Sequence, residues 1–401
     1  MAPPPRLVCL MIQLLLDAEL FTPDALGRRS LAVAGGRVIW VGEGSPDLPP
    51  EMISDAIDLG GRRVVPGLID GHVHITGGGG EAGPASRVPA LGASRYSRNG
   101  VTSLVGLLGT DDLTRTTGDL VTRARGLVEE GLSAWCYTGG YHLPPTTLTG
   151  SVRGDIVYID RVIGVGELAL SDHRSSQPTL AELLRVASEA HVAGLMTGKA
   201  GTVHLHMGDG ERGLDLVRQA LASSELPPRV FHPTHVNRRK GLFDEALELA
   251  KGGSTIDITA FPVAEGEDAW PADAALERFF DAGLPGERVT VSSDGGGCLP
   301  VFDTDGRVTT MGVGDPSALL GTLARLVDRG RSLERVLPAF TSNVADLLRL
   351  PGKGRIATGN DADLLVLDAE GGVSDVMAGG VWHVRGGEVL RRGTFETNER
   401  G

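Results

Sequence analysis

Two histidines one residue apart, His72 and His74, stand just past the apolar run Val64 to Ile69, with Gly67 and Asp70 before them and the glycine stretch Gly77 to Gly80 after. Side chains alternate between the faces of a strand, so residues two apart share one. Both imidazoles then aim at one point, as a metal ion requires. A His-x-His pair is weak evidence by itself. This one has distant companions, His206, His235 and Asp294, each closing an apolar run of its own. A lone histidine at a strand end is commonly bonded to backbone, but four of them seldom converge by accident. The set reads as a metallohydrolase centre, where a metal activates water for attack.

Asp294 follows Val289-Thr290-Val291-Ser292-Ser293 and opens Gly295-Gly296-Gly297. Alone, Asp before Gly is a turn former; beside a divalent cation it can ligate the metal and accept the proton of the activated water. Glu167, in Val165-Gly166-Glu167-Leu168, is a carboxylate among apolar residues, expensive unless paired or coordinated, and it can bridge two metals. His204 shares a face with His206 and competes for its place. Around this set, Glu81 can meet a substrate ammonium, and Arg174 and Arg238 can hold carboxylates by two-pronged hydrogen bonds. Tyr141 can donate to a developing oxyanion. For an exposed Arg or Glu, a solvated side chain is the ordinary reading, and spacing alone does not overturn it.

The elements that must position these residues are legible as apolar runs near 66–74, 101–108, 133–138, 161–170, 202–207, 229–235, 255–260 and 288–293. Helical patterns separate them, among them Leu120 to Glu130, Thr179 to Ala193, Leu214 to Ala222, Leu242 to Lys251 and Ala274 to Ala282. Eight strand–helix repeats predict an α/β fold, a (β/α)8 TIM barrel, with the candidate ligands at the C-terminal strand ends where such barrels keep their chemistry. Both termini are strand-like instead. Gly35-Gly36 and Gly386-Gly387 sit between short apolar runs as hairpin turns. Residues 1–63 and 352–401 are therefore expected to build one small β-sandwich domain beside a barrel of residues 64–351.

Of 401 residues, 41% are hydrophobic but only 4% aromatic, so Val, Leu, Ile and Ala must fill the core. A net charge of -13 argues against a nucleic-acid partner, which requires a basic stripe. The three cysteines, Cys9, Cys136 and Cys298, are odd in number and lack metal-type spacing, which fits a reducing cytoplasm. The run Leu7 to Leu16 has about half the length needed to span a bilayer and reads as a buried strand, with no membrane association expected.

Longer motifs carry a resemblance. They are Pro66-Gly67-Leu68-Ile69-Asp70-Gly71-His72-Val73-His74, Gly77-Gly78-Gly79-Gly80-Glu81-Ala82-Gly83-Pro84, Val105-Gly106-Leu107-Leu108-Gly109-Thr110-Asp111, Ser171-Asp172-His173-Arg174, His206-Met207-Gly208-Asp209, Pro233-Thr234-His235-Val236-Asn237-Arg238 and Ser292-Ser293-Asp294-Gly295. Over nearly its whole length the chain resembles the isoaspartyl (β-aspartyl) dipeptidases of the amidohydrolase superfamily. The resemblance implies metal-dependent hydrolysis of β-aspartyl dipeptides at a two-zinc site, with Asp294 as general base and acid. His72, His74 and Asp294 would hold one Zn2+, and His206 and His235 the other. Glu81 would bind the substrate α-ammonium, Thr110 the aspartyl carboxylate, Arg174 and Arg238 the carboxylate of the leaving residue, and Tyr141 the scissile carbonyl oxygen. A homo-oligomer is implied as well.

Two departures stand out. The family bridges its zincs with a carboxylated lysine at the end of strand four, where this chain has Glu167; a glutamate is shorter, so strand or metals must shift. Cys298 takes the place of a serine that helps bind substrate, and a thiol is the weaker hydrogen-bond partner. Hydrolysis of N-acyl amino acids or cyclic amides is the nearest alternative, kept open by Glu167; a substrate panel separates the two, since only the dipeptidase requires a free α-ammonium at Glu81. A non-catalytic barrel paralogue is the alternative from another class, and four retained histidines with Asp294 argue against it.

Overall fold

Among the described residues five strands come first: β1 (Ile12–Phe21), β2 (Ala25–Ala34), β3 (Arg37–Gly42), β4 (Ile53–Asp58) and β5 (Arg63–Pro66). Eight more alternate with helices: β6 (Leu68–Val73), β7 (Val101–Gly106), β8 (Ser133–Thr138), β9 (Val162–Leu170), β10 (Val203–Met207), β11 (Phe231–Thr234), β12 (Ile256–Thr259) and β13 (Val289–Ser292). A hairpin, β14 (Cys298–Phe302) and β15 (Val308–Val313), precedes a helical stretch and the closing strands β16 (Leu364–Leu367), β17 (Val373–Ala378), β18 (Val381–Arg385) and β19 (Glu388–Val389). The computed structural model describes residues 11–303, 305–368 and 371–397. Cys9, the start of the run Leu7 to Leu16 and the end of the expected 352–401 segment lie outside the described residues. From Ile12 onward that run is strand β1. Among the described residues no helix is long and apolar enough to cross a membrane.

All eight barrel strands fall on the apolar runs. Strands β6 to β11 pair in parallel and in sequence, and β12 pairs with β13. Side chains help close the two seams between these sheets. Thr234 Oγ1 donates to Asp257 Oδ2 (2.7 Å) from β11 to β12. Asp70 on β6 accepts from Ser293 N (3.1 Å) and Ser293 Oγ beside β13, and His74 N donates to Gly295 O (2.9 Å). Helices cover the outside. The longest, Leu180–Thr197, begins with a capping box of Thr179 and Glu182, ends at Gly198 in the left-handed region, and buries Leu183, Val186, Ala187, Ala190 and Ala193.

The nine strands from the two termini form one sheet, ordered β19-β18-β17-β16-β5-β1-β2-β3 with β4 also on β1. Alternation along β16 divides its work. Leu364 and Val366 join the sheet domain's own core, while Leu365 and Leu367 join the barrel core. The run Val64 to Ile69 is accordingly two elements rather than the single one its apolarity suggests, because the chain leaves one sheet and enters the other at Gly67. Gly67 N donates to Asp363 O (2.9 Å), and a Cβ there would lie 2.2 Å from Thr102 Oγ1, so the crossing needs glycine.

Candidate active site

Each candidate ligand sits at or just past the C-terminal end of a barrel strand: His72 on β6 and His74 just after it, Glu167 on β9, His206 on β10, His235 after β11 and Asp294 after β13. All six are buried. Local irregularities aim them. On β9, Val165 pairs with Val203 but Leu168 with Leu205, so one extra residue is accommodated at Gly166–Glu167. Such a bulge re-aims side chains at barrel rims. A similar slip lies between Asp70 and Val73. Past their strands, His235 and Asp294 turn at φ 60° and 54°, conformations sparsely used by residues other than glycine and often found where function holds them.

The bulge at β9 depends on its glycine. A Cβ on Gly166 would lie 2.7 Å from His204 O and 2.8 Å from His204 Cβ. Gly166→Ala is expected to push β9 off β10 and to cost about 1–3 kcal/mol in a denaturant titration. An unchanged midpoint would contradict this account of how Glu167 is placed.

Glu167 addresses both sides of the cluster. Its Oε1 faces His74 Nε2 at 3.4 Å, and its Oε2 faces His206 Nδ1 at 3.0 Å, His235 Nε2 at 3.5 Å and His72 Nε2 at 3.6 Å. Asp294 Oδ1 lies 3.1 Å from His74 Nε2 and 3.4 Å from His72 Nε2. Donors around a tetrahedral ion with bonds of ~2.1 Å lie about 3.4 Å apart. His72, His74 and Asp294 form one group of that size, and His72, Glu167 and His235 a second. His72 Nε2 and Asp294 Oδ1 are buried without a hydrogen-bond partner, an expensive state that a cation would relieve. The donor set therefore fits metal.

Burial opposes charge on Glu167 and Asp294, yet the neighbouring imidazoles hold both carboxyls well below the usual carboxylate range. His72 responds in the opposite sense. Burial pushes it down, but Glu167 and Asp294 raise it to about 9. His235 is pushed down to about 4, chiefly by burial.

The other expected residues line the same cavity of about 1210 Å³. Thr110 Oγ1 donates to Glu81 Oε1 (3.0 Å), and Arg174 Nη1 lies 3.4 Å from the same oxygen. Tyr141 Oη is 2.8 Å from His206 Nδ1. Burial and the Glu167 charge hold that hydroxyl well above its ordinary range, so it remains protonated and able to donate. Arg238 donates to Met207 O (2.9 Å) and pairs with Asp209 (2.8 Å). The Cys298 thiol is pushed up to about 12, first by burial and then by Glu81 and Asp294, which keeps it neutral.

The structure adds residues that sequence reasoning missed. Asp172 is buried between Arg174, held by two hydrogen bonds (3.0 and 2.7 Å), and His206 Nε2 at 3.1 Å. Its signal was its place in Ser-Asp-His-Arg. Hairpin β14–β15 supplies an outer wall, with Leu299, Val301, Phe302 and Met311 lining the cavity. His204 does not compete with His206. It lies beneath the cluster, its Nε2 2.8 Å from His72 Nδ1.

Residues 63–383 match the model of the Amidohydrolase family. A β-aspartyl dipeptidase from Fervidobacterium islandicum AW-1, solved in complex with β-Asp-Leu dipeptide, is 42% identical and superimposes with a TM-score of 0.89, over 96% of this chain and 100% of that one. Another structure of the β-aspartyl dipeptidase from that organism is 40% identical, with a TM-score of 0.86 over 95% and 99%. Among curated proteins, the dihydroorotase of Halobacterium salinarum is 26% identical over 85% of this chain and 84% of its own length.

Proposed function

The chain belongs to the amidohydrolase family, and from that premise we propose that it is a metal-dependent β-aspartyl dipeptidase. The observation that carries this reading is the cluster of buried His72, His74, Glu167, His206, His235 and Asp294 at the floor of a cavity that Glu81, Thr110, Arg174 and Tyr141 line. Likeness to an enzyme solved with β-Asp-Leu supports the substrate class.

His72, His74 and Asp294 would hold one Zn2+, His206 and His235 the other, and Glu167 would bridge them. Among the described residues, the second group of converging donors is His72, Glu167 and His235, and His206 stands beside it, its Nδ1 3.0 Å from Glu167 Oε2. When bound, the metals supply Lewis acidity, lowering the pKa of water toward neutrality and polarising a carbonyl.

The chain's own residues supply the remainder. Glu81 receives the α-ammonium of the substrate, and Thr110, bonded to Glu81, is placed for the adjacent α-carboxylate. Arg174 and Arg238 take the leaving residue's carboxylate. Arg174 is rigid for this purpose, because Asp172 fixes its guanidinium through two hydrogen bonds. Tyr141 donates to the carbonyl oxygen as negative charge develops there. Asp294 accepts the proton of the attacking water and returns it to the departing amine nitrogen. Cys298 lines the cavity as a neutral thiol. The enzyme would act in the cytoplasm as a homo-oligomer on small dipeptides; light scattering tests the assembly.

Turnover of β-Asp-Leu beside α-Asp-Leu, with metal content measured on the same zinc-supplemented preparation, tests the proposal. Cleavage of the β-linked peptide alone, with about two zinc ions per chain, is expected. Metal bound without turnover of either would move the activity to another amide substrate. Glu81→Gln should raise KM for β-Asp-Leu by roughly 10–100-fold, the loss of one charge-assisted hydrogen bond at 1.5–3 kcal/mol. Unchanged KM would remove Glu81 from ammonium recognition.

A further inference from the structure

Below the candidate metal ligands, inside the barrel, four buried side chains extend from His72 in a single file. His72 Nδ1 lies 2.8 Å from His204 Nε2, His204 Nδ1 lies 3.0 Å from His232 Nδ1, and His232 Nε2 lies 3.1 Å from Thr290 Oγ1. Thr290 Oγ1 donates to Asp257 Oδ1 at 2.6 Å. Asp257 also accepts from Thr234 Oγ1 (2.7 Å) and Ser292 Oγ (2.5 Å). His204, His232, Thr290 and Asp257 are at most 2% exposed.

Proton counting along this file leaves one arrangement. Asp257, receiving three hydroxyl donors, is an acceptor only. The Thr290 proton therefore points to Asp257, and its oxygen can only accept from His232 Nε2–H. Neutral His232 then carries a lone pair on Nδ1, which must accept from His204 Nδ1–H. Neutral His204 in turn offers its Nε2 lone pair to His72 Nδ1–H. At the top of the chain, His72 holds its Nδ1–H toward His204, so Nε2, directed at Asp294 and Glu167, is the nitrogen left to offer a metal its lone pair. That is the nitrogen found buried without a partner.

We infer that the file Asp257–Thr290–His232–His204 is a positioning relay that fixes the Nδ1–H tautomer of His72 and so presents Nε2 to the metal. A ligating imidazole commonly gives its other N–H to a carboxylate or carbonyl, which sets ring orientation and basicity. Here the carboxylate is three side chains away, and each link is polarised in the same direction. The inference rests on the metal-site reading above, in that His72 is taken as a ligand. The relay itself is defined by hydrogen bonds alone.

Two measurements test it. In protein with 15N-labelled histidine, imidazole NMR should find the proton of His232 on Nε2 and that of His204 on Nδ1, in zinc-free as well as zinc-loaded protein. Protons on His232 Nδ1 or His204 Nε2 would overturn the relay even if zinc binds normally. A protein that shows these tautomers but takes up no zinc would fail the metal-site reading and leave the relay's direction intact. Thr290→Val keeps the shape of the side chain and removes the acceptor for His232. It should weaken zinc affinity about 10-fold in chelator competition, with 10–100-fold for His204→Phe. Thr290→Ser, which restores the hydroxyl, should bind zinc as the parent does. Equal affinity in Thr290→Val and the parent would overturn the proposal; if that variant does not fold, the tautomers of the parent decide.

Discussion

Asp294→Asn is expected to keep most of its zinc and to turn over β-Asp-Leu at least about 10³-fold more slowly, the scale at which removal of a positioned proton-transfer group is felt. Asparagine retains an oxygen in the place of Oδ1, near His74 and His72, so a donor remains where the carboxylate faced the cluster. It lacks the negative charge that takes a proton from water and the ability to hand it on. Both halves of the reaction suffer, attack through the missing base and departure of the amine through the missing acid. The measurement is kcat/KM with zinc content on the same sample. Activity within about tenfold of the parent, with zinc retained, would sink the assignment. Loss of zinc together with activity would make Asp294 primarily a ligand.

The second large effect is expected at Glu167. Glu167→Gln removes a charge that faces all four of His72, His74, His206 and His235. A neutral amide offers one oxygen, and its NH2 meets ligands that need lone pairs free for metal. Zinc content should fall from about two to one or fewer per chain, and turnover at least about 10²-fold, a charged-ligand loss larger than the 10–100-fold seen for outer partners. Two zinc ions with parental turnover in Glu167→Gln would show that the glutamate does not bridge. Chelator treatment followed by zinc addition separates the causes, since only lost affinity is recovered at high zinc.

Much of this architecture is legible in the chain itself. Eight apolar runs separated by helical patterns are a local signal, because burial on both faces of a parallel strand demands continuous apolarity. His72, His74, His206, His235, Asp294 and Glu167 stand at the ends of those runs, and a barrel closes all such ends into one mouth. The two-terminus sheet is legible from its glycine hairpins.

Other features required the tertiary structure. The run Val64 to Ile69 looks uniform because hydrophobicity does not record which of two sheets a strand joins; only Asp363 and Thr102, far away in sequence, make Gly67 the crossing. His204 and His206 have the same residue type and the same strand face, and depth in the barrel separates them. The layer below the mouth brings His204 against His72 and His232, whereas His206 reaches Glu167 and Tyr141. Asp172 has only its place beside Arg174 to mark it in the sequence, and the fold buries it against His206. Fold class and the chemical types at the mouth are local properties of the chain, because both follow from periodicity and strand-end position. Which histidines meet at the mouth and which stand beneath it depends instead on strand stagger, a bulge at Gly166 and bonds between residues as distant in sequence as His72 and His204.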